Sequence, residues 1–284
     1  MYDCKISIKP HSPRRGCLRL SIIGFGIFIL TLLYLLAPIR TNILILGIDA
    51  RPEEGNLGRS DTMILTTIIP SRPYVGALSI PRDLWVTVPG YGENRINTAH
   101  FYAESEHPGY GPVAAMDTVR VIFGANINYY IRLRFDGIQY LVDAIGGLDI
   151  DLTGPISGYT SGKHHFTGQQ ALAFIRDRTG SDDFFRMEHA QLFIKSLFRQ
   201  ILKPSAWLHI PAILFELPKT VDTDIPIWQW PRLGLAFVRT GPNGIDSRTI
   251  NRDMVTPFTT TGGTMVLSPN WQKINPLLMD MFRQ

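Results

Sequence analysis

Cysteine is almost missing from this chain: Cys4 and Cys17 are the only two in 284 residues, and none follows. Everything beyond residue 17 therefore folds without disulfides and carries no thiol chemistry. The roughly 245 residues after position 39 are ample for a core that needs no staples. Also lacking are a Gly-x-Ser-x-Gly elbow, a P-loop and a Gly-x-Gly-x-x-Gly turn, which removes the commonest acyl-transfer and nucleotide-binding signatures. Gly24 and Gly26 lie inside an apolar run and signal helix packing at most. There are no repeats and no low-complexity segments. A global charge bias is missing too. The net charge is +4 from 28 basic and 24 acidic residues. Residues 1–19 hold five basic residues against Asp3, so residues 20–284 carry 23 of each sign. Nucleic acid is thus an unexpected partner.

What is present begins with one uncharged run, Leu20 to Ile39. Twenty residues at about 1.5 Å each reach roughly 30 Å, the thickness of a bilayer core. Lys5, Lys9, Arg14, Arg15 and Arg19 precede it, so the positive-inside rule leaves residues 1–19 in the cytoplasm and exports the rest. A cleavable signal peptide is the rival reading. The run is long for one, and Ala37-Pro38-Ile39 is a poor cleavage site, so a retained anchor is favoured. The linker behind it is nearly absent, which holds the exported part close to the membrane.

Strand-like runs occupy 42–47, 62–69, 74–80 and 84–88, apolar on both alternations, as strands covered on two faces are. Gly111-Pro112 opens a helix carrying Met116, Val119 and Phe123, with Gly124 as its stop. Asp136 and Gln139 suggest a capping box for a helix with Ile138, Leu141, Val142 and Ile145 on one face. Gly146-Gly147 ends it before a strand at 148–152. Thr167 starts a helix reaching Arg176. Ser181-Asp182-Asp183 caps another that runs to about Lys203, with Ala190, Ile194, Leu197 and Ile201 inward. Prolines divide residues 204–284 into short helical or irregular pieces before a last helix between Pro269 and Phe282. The expected class is α/β: one mixed-sheet domain over 42–284 with flanking helices, preceded by one transmembrane helix.

Charges cluster where apolar runs end. Asp49 and Arg51 follow the first run, Asp61 opens the second, Arg82 and Asp83 follow the third, and Arg176 and Arg178 close a helix. Strand ends frame the ligand crevice of open α/β sheets. Two carboxylates suit Mg²⁺, and guanidinium forks suit phosphate oxygens. Asp49 and Asp61 read equally well as turn and cap residues. Taken one at a time, Arg51, Arg82, Arg176, Arg178 and Arg186 read better as surface ion pairs with Asp83, Asp177, Asp182 and Asp183. Arg176 and Arg178 reach one ligand only if their helix ends between them. His164 and His165, adjacent in a strand, point to opposite faces and make poor chelators. Tyr129, Tyr130, Phe135, Phe174, Ile138 and Leu141 read as core, with a lipid groove as the alternative.

Taken in order, these segments resemble the LytR–CpsA–Psr family of bacterial envelope ligases. The likeness rests on Asn42 to Arg51 (Asn-Ile-Leu-Ile-Leu-Gly-Ile-Asp-Ala-Arg), Arg59 to Met63, Ser79 to Asp83 and Arg95 to Ala99. It continues through Asp143 to Gly147, Gly168 to Leu172, Arg176 to Arg178 and Asp182 to Arg186. Two departures stand out: His189-Ala190-Gln191 where Arg-Gln-Gln is common, and Arg95 where Lys is common.

The resemblance implies a membrane-anchored phosphotransferase acting outside the cytoplasmic membrane. It would move a glycopolymer such as teichoic acid or capsule from an isoprenoid-diphosphate carrier onto peptidoglycan. By motif position Asp49 and Asp61 hold Mg²⁺ or Mn²⁺, and either is a candidate base. Arg82, Arg176 and Arg178 meet the pyrophosphate, and Arg51, Asp83, Arg95, Arg186 and Gln191 complete its surroundings. Two rivals remain. One is an isoprenoid-diphosphate-binding protein or pyrophosphatase that transfers nothing; the other is a membrane-bound regulator of envelope genes. Residues 1–19 are too few for a DNA-reading fold.

Overall fold

The computed structural model describes residues 14–49, 55–177 and 183–282. Its centre is a six-stranded mixed sheet in the order β10-β3-β2-β1-β6-β9. The strands are β1 (Thr41–Ile48), β2 (Ser60–Ile69), β3 (Tyr74–Ile80), β6 (Tyr129–Arg134), β9 (Val221–Thr223) and β10 (Asp246–Thr249). β1 runs antiparallel to β2 and parallel to β6, and β3 runs antiparallel to β2 and parallel to β10. Three hairpins flank this sheet: β4 (Trp85–Val88) with β5 (Gly92–Arg95), β7 (Leu148–Leu152) with β8 (Gly162–Phe166), and β11 (Val255–Thr259) with β12 (Met265–Pro269).

Both faces of the sheet are covered, as the unbroken apolar runs require. One face presents Leu44, Leu46, Ile48, Met63, Leu65, Leu78 and Ile80 to α3 (Gly111–Phe123) and α9 (Trp271–Phe282). The opposite face presents Ile43, Ile68 and Val75 to α8 (Trp230–Thr240). A third cluster joins α4 (Phe135–Ala144), α5 (Gly168–Arg176) and α6 (Asp183–Ile201) to the β7–β8 hairpin around Phe166 and Phe174. These two rings are almost wholly buried, with centroids 5.5 Å apart. Each is worth about 1.5–3 kcal/mol of transfer free energy.

Several local expectations hold. Gly124 stops α3 in the left-handed region at φ 63°. Thr167 caps α5 through a reciprocal box with Gln170. Others need correction. α4 starts one residue earlier than its expected cap, so Asp136 sits inside the first turn. There it takes the Arg134 guanidinium at 2.5 Å instead of capping. Ile201 is exposed at the end of α6, where the helix overruns the sheet. Residues 204–284 contain four strands besides their helices, because short three- to five-residue strands leave too little alternation to read.

The N-terminal helix α1 spans Arg14–Leu35, starting and ending earlier than the expected 20–39. Pro38 disfavours helical backbone at the residue before it. From Ile22 to Tyr34 its apolar side chains are exposed. Among the described residues no helix is long and apolar enough to cross a membrane. The end of α1 is tied to the sheet domain: Tyr34 donates to the Trp228 carbonyl at 2.6 Å, and Arg232 donates to the Ile39 carbonyl.

A buried ionic network fastens β6 to its neighbours. Arg132 donates to Glu104 at 3.0 Å and Asp222 at 2.7 Å, and approaches His100 Nε2 at 3.4 Å. Arg132 only donates, so Nε2 accepts and the imidazole proton sits on Nδ1, which donates to the Gly58 carbonyl at 2.9 Å. Glu104 and His100 lie on α2 (Thr98–Glu106). Burial pushes the His100 pKa down to about 4. Its folded-state value lies below the unfolded value near 6.5, so its neutral form supports the fold fully above pH 6.5. That support is lost as pH falls toward 4. Urea titrations should show stability dropping by about 3 kcal/mol across this window. His100→Asn, which does not titrate, should flatten that part of the profile.

Candidate active site

The site grows out of the register of β1 against β2. Ile45 pairs with Ile64 and Gly47 with Thr62, but Ile48 pairs with Ser60. One residue of β2 is therefore extra, and that residue is Asp61. A bulge of this kind places two successive side chains on one face. Asp61 and Thr62 thus both face the side where alternation puts Asp49, just past β1. Without the bulge, Asp61 would point into the core with Ile48.

Guanidinium groups close over the two carboxylates. Arg176, last residue of α5, donates to Asp49 at 2.6 and 3.0 Å. Its helix ends there because Asp177 is extended. Arg82, just beyond β3, donates to Asp61 at 2.5 Å. Asp49, Asp61, Thr62, Phe135, Ile175, Arg176 and Arg186 line one cavity of about 250 Å³. These ion pairs are partly exposed, with side-chain exposures of 16–40 %. Pairs of that kind are worth about 1 kcal/mol or less. They are weak enough to be exchanged for a better partner on either side.

The remaining expected residues divide. Asp83 lies 3.5 Å from Arg82 and 3.2 Å from Arg95, holding the two guanidiniums in line rather than facing the cavity itself. Arg95 also donates to the Met265 carbonyl at 3.1 Å, which joins the β11–β12 hairpin to this rim. Gln191 lies outside this cavity, on the wall of the apolar slot behind it. Its amide donates to Ser79 at 2.7 Å, the Arg248 carbonyl at 2.8 Å and Thr249 at 3.1 Å, tying α6 to β3 and β10. His189, at the unusual position one turn past Arg186, is buried and stacked on Phe174 at 4.6 Å. Burial lowers its pKa, so it is a neutral ring and adds no cation. Arg51 and Arg178 lie outside the described residues.

Behind the polar cavity, on the same sheet face, runs an apolar slot. Ile45, Ile64, Thr66, Val75, Ala77, Ile194, Phe198, Phe237 and Ile245 are among its walls, with Gln191, Lys195 and Ser247, and they surround about 410 Å³ of space that opens to solvent. The register makes the two spaces consecutive: Asp49, Gly47 and Ile45 descend β1 on one face, beside Thr62 and Ile64 on β2. Sequence reading did not single out Gly47 or Thr62, and gave Phe135 as core or lipid groove rather than as a wall of the polar cavity. A glycine inside an unbroken apolar strand is the available signal for close approach. A Cβ at Gly47 would meet the Phe135 ring at 2.6 Å.

Two hard oxygen donors in one cavity, each paired with a partly exposed guanidinium, fit a divalent cation such as Mg²⁺. No cluster of three or more potential metal-binding side chains exists among the described residues. Oxygen atoms from a phosphate substrate and water would have to complete the coordination. The guanidiniums released in the exchange would face the same phosphate.

The LytR_cpsA_psr family model matches residues 38–278, so the chain belongs to that family. It is 37 % identical over 190 residues to a polyisoprenyl-teichoic acid–peptidoglycan teichoic acid transferase, TagU, of Oceanobacillus iheyensis. That match covers 65 % of this chain and 58 % of the relative. A protein of the same name from Enterococcus faecalis is 30 % identical over 205 residues, covering 69 % of this chain and 65 % of its own length. The chain thus spans about three fifths of these relatives. The crystal structure of TagV from B. subtilis superposes with a TM-score of 0.69 at 24 % identity, covering 86 % of this chain and 98 % of that one. TagT bound to LI-WTA superposes with a TM-score of 0.66 at 20 % identity, covering 86 % and 90 %. At such identities the likeness establishes the mixed α/β fold, a central mixed sheet with flanking helices.

Mn²⁺ binding followed by electron paramagnetic resonance should weaken at least tenfold in Asp49→Asn and in Asp61→Asn. Asp136→Asn, on the neighbouring half-buried pair with Arg134, should bind as the parent does.

Proposed function

We propose that this chain is a phosphotransferase that moves a glycopolymer from an isoprenoid-diphosphate carrier onto peptidoglycan, assisted by Mg²⁺ or Mn²⁺. The observation that carries the reading is that the carboxylate–guanidinium cavity and the apolar slot lie next to each other on one sheet face. A diphosphate joined to a branched hydrocarbon is the ligand class whose two halves match those two spaces. The relatives' names point to a polymer of the teichoic acid class.

Asp49 and Asp61 would hold the cation, which when bound supplies charge neutralisation at the diphosphate. Arg82, Arg176 and Arg186 would take the phosphate oxygens, with Arg51 and Arg178 added on the family likeness. The acceptor hydroxyl attacks the phosphorus that bears the sugar. The bond from that phosphorus to the bridging oxygen breaks, and isoprenoid monophosphate leaves with that oxygen. The hydroxyl proton passes to Asp49 or Asp61, whichever is less engaged with the cation. Such transfers ask a protein mainly for positioning and charge stabilisation, which this side-chain set provides.

The reading includes a single-pass anchor with the sheet domain outside the cytoplasmic membrane. Its support is the apolar surface of α1 from Ile22 to Tyr34 and the basic residues before it. Full-length chain in its native membrane should resist alkaline extraction.

Purified chain given an isoprenoid-diphosphate glycan and peptidoglycan should release lipid monophosphate and form the wall conjugate, with both products requiring Mg²⁺ or Mn²⁺. Arg82→Ala and Asp61→Asn should lower turnover by roughly 100-fold. Sugar phosphate without conjugate would identify a hydrolase instead, and undiminished turnover in both variants would remove these residues from the site.

A further inference from the structure

Asp61 reaches the cavity only because β2 enters the sheet with one residue too many, and a bulge next to a loop has several competing registers. Something has to hold the chain just before it. The segment from Gly55 enters β2 at Ser60, and its carbonyl at Gly58 accepts from His100 Nδ1 at 2.9 Å. His100 is itself wholly buried. Its other nitrogen is turned toward Arg132, which is held by Glu104 and Asp222. Glu104 in turn accepts the Gly109 and Gly111 amides at 3.0 and 2.9 Å, at the start of α3. No atom in this set lines the polar cavity, and nothing in the proposed chemistry uses it.

We infer that His100 is a positioning residue that clamps the Gly58 carbonyl and so fixes the bulge that aims Asp61 at the cation and diphosphate. The inference rests on the site reading above. The direction of the hydrogen bonds decides how it works. An arginine cannot accept, so the imidazole is locked as the Nδ1–H tautomer, and that one proton is aimed at the site loop. The ring is a rigid connector from β6 to the loop, with each end in a hydrogen bond. Its surroundings are equally constrained: a Cβ at Gly111 would stand 2.7 Å from His100 Nε2 and from Glu104 Oε2. The imidazole therefore has little room to tilt, and the carbonyl it holds has little freedom to shift.

Asparagine and glutamine substitutions separate the two ends of the ring. An asparagine amide nitrogen reaches the Nδ1 position and can keep the bond to Gly58. The longer glutamine places its amide near Nε2 and gives the Gly58 bond up. Full-length chain in detergent would be compared by Mn²⁺ affinity, by hydrogen exchange of the 57–61 amides, and by kcat and KM. His100→Asn should stay within about threefold of the parent in Mn²⁺ affinity with 57–61 protected. His100→Gln and His100→Leu should bind Mn²⁺ at least tenfold more weakly, exchange faster at 57–61 and lose kcat. In both, KM for the lipid carrier should hold, since the slot is untouched. Folded His100→Gln with parental Mn²⁺ affinity and parental protection would overturn the clamp. Should His100→Leu fail to fold, the Asn–Gln pair still decides. Failure of the underlying reading looks different: Asp61→Asn would then bind Mn²⁺ normally, while protection at 57–61 still distinguished Asn from Gln.

Discussion

Parity along the β1–β2 pair is the constraint on which the rest of the molecule depends. Side chains on a strand alternate, so a single inserted residue exchanges the two faces for everything beyond it. Here the insertion falls at Asp61. On the loop side of that point Ser60 shares the core face with Ile48. On the sheet side Met63 and Leu65 face the same core while Thr62 and Ile64 face the slot. The core remains apolar and the acid is delivered outward. A regular strand would bury a carboxylate among Ile48 and Ile80, at a desolvation cost of several kcal/mol.

The charged side chains then arrange themselves around two weak pairs rather than one strong cluster. Asp49 with Arg176 and Asp61 with Arg82 come from four separate elements, the ends of β1, β3 and α5 and the start of β2. Each pair sets one carboxylate against one guanidinium. Each is also exposed enough to open. On the function proposed above, opposite charges stored as exchangeable pairs would let one cavity accept a cation and an anion together. The total charge inside then changes little.

Much of this was legible before any coordinates. The strands 42–47, 62–69 and 74–80 were readable from continuous Ile, Leu and Val, and α3 and α5 from Gly124 and Thr167. Asp49, Asp61, Arg82 and Arg176 were found because they interrupt or end apolar runs. What escaped reading was non-local. The bulge depends on pairing across a loop, and no residue in Arg59-Ser60-Asp61 announces it. β9 and β10 form only by adding to strands about 90 and 170 residues earlier in the chain. Gln191 is a candidate donor by family resemblance, and its contacts with β3 and β10 on the slot wall emerge only when α6 lies across the sheet. His100 offered nothing to single it out, because its role is set by the carbonyl on which it closes.

The sheet also acts as a ruler. α1 ends at Leu35 and β1 begins at Thr41, while Asp49 lies past the far end of that strand. Eight residues at about 3.3 Å each make β1 roughly 26 Å long. On the function proposed above, with α1 in a bilayer and β1 along the membrane normal, a head group at Asp49 would stand about one strand length out. Several isoprene units of its tail would then lie along the protein rather than among lipid chains. Part of the affinity of the slot would be spent on lifting the carrier partway out of the membrane.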